Sequence, residues 1–163
     1  MINGLHHATI ATHHFDRIVG FYRDVMGFEV VMDVDWGGDA RIDGMIGLKD
    51  TSGKVAMLQA GNAFLEIFEY VTPRGAAHDP ERPLCDTGFT HIGLNVSDID
   101  AEFARLSANG MRFHNPPTGE PGSGLRAVYG RDPDGNVVEL VEVMARENPI
   151  FLASAPRPQS AAA

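Results

Sequence analysis

The chain contains little cysteine and little positive charge, and both shortages exclude classes of protein. Cys85 is the single cysteine among 163 residues, so no internal disulfide forms, and we expect a reducing, cytoplasmic setting. Lys and Arg number 13 against 22 Asp and Glu, and the net charge of −9 argues against nucleic acid and anionic membrane surfaces as partners. No apolar run approaches the roughly 20 residues of a membrane helix, and the N-terminus lacks the basic-then-apolar order of a signal peptide. The remaining composition, with 44% hydrophobic residues, is that of a globular protein with one domain or two tightly joined smaller units.

The same order of elements occurs twice along the chain. A short β-type run, LHHATIAT or FTHIGLNV, precedes a helical pattern that ends at Gly27 in the first half and at Gly110 in the second. Further β-type runs follow, and the last of them read LEIFE and VELVE. Each half therefore predicts a β-α-β-β-β module. We expect a first module over residues 1–70, a linker over 71–88, a second module over 89–145, and a partly disordered tail over 146–163. The first half is longer, and its surplus, DARIDGMIGL, predicts an additional helical turn.

The segment DPDGNVVELVE, residues 132–142, combines a tight turn with a strand. Pro133 fixes φ and Gly135 tolerates positive φ, which is typical of a turn that leads into a hairpin. Strand alternation places Glu139 in the middle of a largely apolar run, where a carboxylate is costly to bury unless it is paired or bound to a metal. Glu142, three positions on, falls on the opposite face, and we expect it to be solvated.

One histidine and one glutamate recur at matched places in the two halves. Aligning the first strands places His7 opposite His91, and aligning the last strands places Glu66 opposite Glu139. Alternation directs all four side chains away from the helix-covered side of the sheet, toward its open face. A single His or Glu of this kind is more often an ordinary surface residue, but the matched occurrence favours a site. Two imidazoles and two carboxylates suit one divalent ion (Zn, Ni, Fe, Mn or Co) with positions left open for substrate.

Other side chains predicted on or near the open faces are candidates for a substrate pocket. They are Phe64, Phe68, Trp36 and Asn95. For the aromatic residues, packing in the core explains the pattern equally well.

These motifs resemble the vicinal oxygen chelate superfamily, which includes glyoxalase I, methylmalonyl-CoA epimerase, extradiol dioxygenases, fosfomycin-resistance enzymes and bleomycin-binding proteins. The resemblance implies an α+β fold in which paired βαβββ modules form a cupped mixed β-sheet around a divalent metal. It assigns the metal ligands to His7, Glu66, His91 and Glu139. A fourth ligand at the position of Glu66 resembles glyoxalase I and the epimerases, whereas extradiol dioxygenases typically lack it. The glutathione-binding arginine expected after the first strand of glyoxalase I is absent at residues 11–13.

The resemblance and the ligand set together predict a metal-dependent lyase or isomerase of the glyoxalase or epimerase type. Its small-molecule substrate carries vicinal oxygens, and an enolate-like intermediate forms when a carboxylate removes the α-proton. Glu66 and Glu139 are the candidate catalytic residues, with Glu66 the better base because it lies beside two phenylalanines, and Glu139 the more permanent ligand. A one-domain extradiol-type dioxygenase and a non-catalytic protein that sequesters a drug or metabolite are the alternatives. The resemblance also implies a homodimer, whose ligands come from one chain or from two.

Overall fold

The computed structural model describes residues 1–120 and 122–153. The chain divides into two compact units, Met1–Arg82 and Pro83–Ala163. Their boundary falls inside the predicted linker, and the last strand of the first unit runs two residues beyond the predicted end of the first module, to Thr72. The predicted disorder from residue 154 onward lies outside the described residues. No helix in the described ranges has the length and apolar character needed to cross a membrane.

The first unit contains four strands and two α-helices. Strand β1 spans His7–Ala11, helix α1 spans Phe15–Gly20 and continues as a π-helical stretch over Phe21–Val25, and β2 spans Glu29–Gly37. Helix α2, Ala40–Ile46, confirms the predicted additional helical turn. Strands β3 (Ser52–Ala60) and β4 (Ala63–Thr72) complete a sheet of order β1-β4-β3-β2, in which β1 is parallel to β4 and the other neighbours are antiparallel.

The second unit repeats this arrangement with fewer residues. Its elements are β5 (His91–Asn95), α3 (Ile99–Ala108), β6 (Arg112–Phe113), β7 (Leu125–Arg131) and β8 (Val137–Val143). The sheet order is β5-β8-β7-β6, again with the first strand parallel to the last and the other neighbours antiparallel. Two mixed four-stranded sheets with helices confirm the predicted α+β fold of paired βαβββ modules.

Burial alternates along the strands as a period of two requires. In the first unit, Ile10, Leu65 and Ile67 are buried on the helix side, while Thr9 and Glu66 lie on the other face. In the second unit the side chains of Val138 and Leu140 are buried, as are Ile99 and Leu106 of α3. The apolar core of each unit therefore lies under its helix, and the opposite face of each sheet remains available to polar side chains.

Glu142, on β8, is half-buried and contacts the start of α3, a role that the expectation of a solvated side chain did not include. Its carboxylate accepts hydrogen bonds from the backbone N–H groups of Asp98, at 2.6 Å, and Ile99, at 3.4 Å. Asp98 itself is the N-cap residue and accepts from the N–H of Ala101. The first N–H groups of a helix have no partner within the helix, and a carboxylate at that end also interacts favourably with the helix dipole. Glu142 thus ties β8 to α3.

A buried aspartate organises the turn that precedes β8. Asp132 is fully buried and accepts hydrogen bonds from the N–H of Asp134 (2.9 Å), the N–H of Asn136 (2.9 Å) and the side-chain amide of Asn136 (2.8 Å). Arg131 donates to the carbonyl of Gly135 at 2.9 Å, and Gly135 adopts a φ of 93°. This network sets the point at which β8 begins, and therefore where Glu139 lies on its strand.

Candidate metal centre and substrate face

The first predicted pair of ligands is brought together by the pairing of β1 with β4. Their parallel register places His7 beside Phe64 and Thr9 beside Glu66, so His7 and Glu66 are diagonal neighbours on one face. The Nε2 atom of His7 lies 3.5 Å from Oε2 of Glu66, and the two side chains are 39% and 16% exposed. Both are thus reachable from solvent on the face away from the helices.

The second pair has the same arrangement in the second unit. His91 lies beside Val137 and Gly93 lies beside Glu139 in the register of β5 with β8. Nε2 of His91 is 3.3 Å from Oε2 of Glu139, and the side chains are 30% and 18% exposed. The matched positions of His and Glu in the sequence therefore correspond to matched positions on two sheets of the same topology.

The spacing within each pair fits two ligands of one metal ion. Zinc lies about 2.0–2.1 Å from histidine nitrogen and about 2.0–2.2 Å from carboxylate oxygen, so two such donors at right-angled to tetrahedral positions are about 2.8–3.5 Å apart. The observed separations of 3.5 Å and 3.3 Å fall within this range. Across the residues that the structure describes, no three or more His, Cys, Asp or Glu side chains gather around one point, so the four predicted ligands occur as two His–Glu pairs. Each pair places one histidine nitrogen next to one carboxylate oxygen.

Neighbouring groups orient the two histidine rings. The hydroxyl of Thr90 lies 2.8 Å from Nδ1 of His91, and Nδ1 of His6 lies 2.8 Å from Nδ1 of His7. In each case Nδ1 has a partner and Nε2 is the nitrogen that faces the glutamate. A hydrogen bond to the second ring nitrogen is the usual way in which a metal-binding histidine is oriented. His6 and Thr90 were not predicted as site residues, although each directly precedes a predicted ligand.

The two glutamates differ in the hydroxyl group that holds them. Thr9 donates to Oε2 of Glu66 at 3.0 Å, whereas the equivalent position in the second unit is Gly93. The hydroxyl of Tyr129, on the neighbouring strand β7, hydrogen-bonds to Glu139 instead. Burial raises the pKa of the Tyr129 hydroxyl above its usual 10.0, and the hydrogen bond to Glu139 raises it further. The carboxylate of Glu66 therefore has a polar neighbour, the hydroxyl of Thr9, in addition to the phenylalanines two positions to either side of it in the sequence.

Tyr129 is the functional candidate that sequence reasoning missed. It lies directly opposite Glu139 in the antiparallel register, and its ring meets the ring of His91 edge-on, with centroids 5.1 Å apart. The position opposite Glu66 in the first unit is Met57, so the internal repeat gave no signal for a tyrosine. The available indication was its place in a strand, three residues before the Asp-Pro-Asp-Gly turn.

The four predicted pocket residues lie in different surroundings. Trp36 and Phe68 contact each other edge-on, with ring centroids 5.3 Å apart, and both are half-buried. Phe64 stacks on the ring of His6 at 5.1 Å. Asn95 is exposed at the end of β5 and donates to the carbonyl of Leu152 at 3.4 Å.

Comparison with known proteins decides the family. The sequence profile of the Glyoxalase/Bleomycin resistance protein/Dioxygenase superfamily matches residues 4–140. The chain belongs to this superfamily. A curated relative, the metallothiol transferase FosB of Shouchella clausii (strain KSM-K16), is 24% identical over 143 residues, which cover 86% of this chain and 80% of that protein.

Solved structures of superfamily members share the fold. A glyoxalase family protein from Bacillus cereus has a TM-score of 0.79 at 20% identity, over 89% of this chain and 97% of that one. The fosfomycin resistance protein FosX from Listeria monocytogenes has a TM-score of 0.59 at 17% identity, over 87% and 94% of the two chains. At this level of identity the similarity concerns the fold, and the choice of reaction depends on the residues of the site.

Proposed function

We propose that this superfamily member is a metal-dependent lyase or isomerase of the glyoxalase or epimerase type, acting on a small substrate with vicinal oxygens. In this proposal His7, Glu66, His91 and Glu139 ligate one divalent ion. The observation that carries it is the repeated His–Glu pair, with nitrogen–oxygen separations of 3.5 Å and 3.3 Å. A glutamate paired with the first histidine supplies the fourth donor, which a two-histidine, one-carboxylate site does not have.

The residues of the chain have distinct tasks in such a reaction. A bound divalent ion supplies Lewis-acid stabilisation of the negative charge that develops on a substrate oxygen. Glu66 removes the proton from the carbon next to the carbonyl and returns it to the neighbouring carbon; in an epimerisation, the proton that arrives on the opposite face comes from solvent. Thr9 holds Oε2 of Glu66 through its hydroxyl and leaves Oε1 to accept the proton. Glu139 is held by its hydrogen bond with Tyr129 and acts as the permanent metal ligand, without taking part in the proton transfer.

The test combines metal analysis with proton exchange. Protein loaded with Zn²⁺, Ni²⁺, Co²⁺, Mn²⁺ or Fe²⁺ is incubated in D₂O with hemithioacetals of 2-oxoaldehydes and with 2-hydroxyketones. Deuterium incorporation at the α-carbon is followed by NMR. Glu66→Gln is expected to keep much of the metal and to lose about 10²–10⁴-fold in rate, the usual contribution of general acid–base catalysis. Glu69→Gln, on the opposite face of the same strand, is the matched control. Full activity of Glu66→Gln would overturn the assignment.

A metal-dependent thiol transfer is the second candidate, and the similarity to the metallothiol transferase FosB over 86% of this chain favours it. This reaction needs the same chelation of substrate oxygens but no base that removes a carbon-bound proton. Incubation of the metal-loaded protein with fosfomycin and a low-molecular-weight thiol separates the two candidates. A thiol adduct detected by mass spectrometry, together with no α-deuterium exchange, would replace the lyase or isomerase proposal by the transfer reaction.

The proposal includes a homodimer. Strands β2 and β6 are the outer strands opposite β1 and β5 in the two sheets, and unpaired outer strands are commonly covered by a partner. Light scattering at micromolar concentration tests this part separately, and a monomer there would contradict it.

A further inference from the structure

Three aromatic side chains form a cluster on the face of the first sheet that carries Glu66. Trp36 meets Phe68 at 5.3 Å and Tyr70 at 5.2 Å between ring centroids, with interplanar angles of 87° and 85°. Phe68 and Tyr70 stack on each other at 5.5 Å. All three rings are half-buried, although the fully buried core of this unit lies on the opposite side of the sheet. We call this set the aromatic cluster.

Two contacts fix the position of the Trp36 indole, one with the backbone at Gly53 and one between its N–H and Thr51. Gly53 is paired with Trp36 across β2 and β3, and a Cβ added there would collide with the indole carbons Cη2 and Cζ3. The indole N–H donates to Oγ1 of Thr51 at 3.2 Å. Thr51 is only 1% exposed, and its hydroxyl donates to Oδ1 of Asp43 at 2.5 Å.

Asp43 in turn is fixed by backbone groups of the same segment. It accepts from the N–H of Thr51 at 3.0 Å and from the N–H of Asp50 at 2.9 Å. A chain of hydrogen bonds therefore runs from the segment inserted between β2 and β3, through Thr51, to the indole. An aromatic ring held in one orientation is well suited to ligand binding, because little conformational entropy is lost on contact.

The aromatic cluster begins beside the proposed base. Glu66, Phe68 and Tyr70 alternate along one face of β4, and Phe68 is about 7 Å from Glu66 along the strand. Apart from Glu66, the side chains of this face in the central part of the sheet are uncharged, and they include Met57 and Val55. This favours a neutral, flat group over a charged one.

We propose that Trp36, positioned by Thr51 and Asp43, forms with Phe68 and Tyr70 the surface that selects a substrate carrying a planar aromatic group next to its chelating oxygens. This inference rests on the proposed function, because the substrate is anchored by its oxygens at the metal ligands. Thr51 and Asp43 are positioning residues that act through Trp36.

The experiment uses two hydroxamates that present the same pair of neighbouring oxygens. Binding of acetohydroxamate and of 2-naphthohydroxamate to the Zn²⁺-loaded protein is measured by calorimetry. The naphthyl compound is expected to bind roughly 10²-fold more tightly, because it adds burial of a flat apolar surface and aromatic contacts. Trp36 is the single tryptophan, so quenching of its fluorescence reports contact directly.

Three variants separate positioning from general damage to the fold. Trp36→Leu and Thr51→Val are expected to reduce the preference for the naphthyl compound by about tenfold or more while leaving the affinity for acetohydroxamate unchanged. Thr51→Ser retains the hydroxyl, and we expect it to restore the preference. An unchanged preference in Trp36→Leu would overturn the inference.

Further outcomes keep this inference distinct from the proposed function. If acetohydroxamate binds in a metal-dependent manner and the naphthyl compound binds no more tightly, the aromatic surface is refuted and the metal site stands. If neither compound binds the metal-loaded protein, the metal site fails and the inference fails with it. Binding of the naphthyl compound without quenching of Trp36 also refutes the aromatic surface.

Discussion

Replacement of Asp132 by alanine is expected to destabilise the second unit strongly. The side chain is fully buried and accepts three hydrogen bonds of 2.8–2.9 Å from Asp134 and Asn136. Hydrogen bonds to a charged group contribute about 1.5–3 kcal/mol each. The three are not additive, since water enters the space left by the carboxylate and satisfies part of the donors. For Asp132→Ala we therefore expect a loss of about 4 kcal/mol in the free energy of unfolding.

Asp132→Asn is the informative companion variant. Its carbonyl oxygen still accepts from the N–H groups of Asp134 and Asn136, but its amide group faces the side-chain amide of Asn136. Rotation of the Asn136 amide presents an oxygen to that group and restores the third hydrogen bond. We therefore expect a smaller loss, about 1–2 kcal/mol, from the charge alone.

The assay is urea-induced unfolding followed by circular dichroism, with free energies obtained by linear extrapolation. Asp35→Asn, which removes a carboxylate from an exposed position of β2, is the control and is expected to change stability by less than about 0.5 kcal/mol. Both Asp132 variants should also lower the affinity for divalent ions, because the turn sets the position of Glu139. A change of less than about 1 kcal/mol in Asp132→Ala would refute the assignment of the turn to this carboxylate.

Further predictions concern other parts of the two units. His91→Ala is expected to abolish tight binding of divalent ions in calorimetry while the far-ultraviolet spectrum is retained, and full metal occupancy would contradict the ligand assignment. Tyr129→Phe removes the hydroxyl that holds Glu139 and is expected to weaken metal binding about 10- to 100-fold, with Tyr70→Phe as the matched control. The hydrogen bond from Thr51 is the largest cause that lowers the pKa of Asp43 below its usual 3.8. The ionised carboxylate of Asp43 therefore stabilises the folded protein above about pH 3.8. This stabilisation is lost as the pH falls through the lower pKa that Asp43 has in the folded state. Asp43→Asn should accordingly lose less stability than the unmodified protein as the pH falls below about 4, and an unchanged acid-unfolding curve would contradict this.

The repeat of the βαβββ module and the faces of its strands followed from the sequence by itself. A strand exposes alternate side chains on opposite faces, so the positions of His7, Glu66, His91 and Glu139 within their own strands determine their side of the sheet. The glycines that end the helical patterns and the Asp-Pro-Asp-Gly turn are equally local signals. The superfamily was recognisable for the same reason, because its motifs consist of these short segments.

The partners of the site residues were decided by the tertiary structure. Parallel pairing of β1 with β4 brings His7 to Glu66, and antiparallel pairing of β7 with β8 brings Tyr129 to Glu139. Alternation assigns each side chain to a face of its strand but leaves open which strands pair and in what register, so the contact of Tyr129 with Glu139 was not predicted.

The role of Glu142 was also not predictable from strand alternation. Alternation correctly excluded it from the face of Glu139, but only the packing of α3 against β8 reveals that its carboxylate accepts from the N–H groups of Asp98 and Ile99. The link from Asp43 through Thr51 to Trp36 likewise joins a helix, a strand end and an indole of the first unit. Hydrogen bonds between side chains and groups far along the chain depend on distances that the register and the packing of elements determine, and local sequence patterns do not contain those distances.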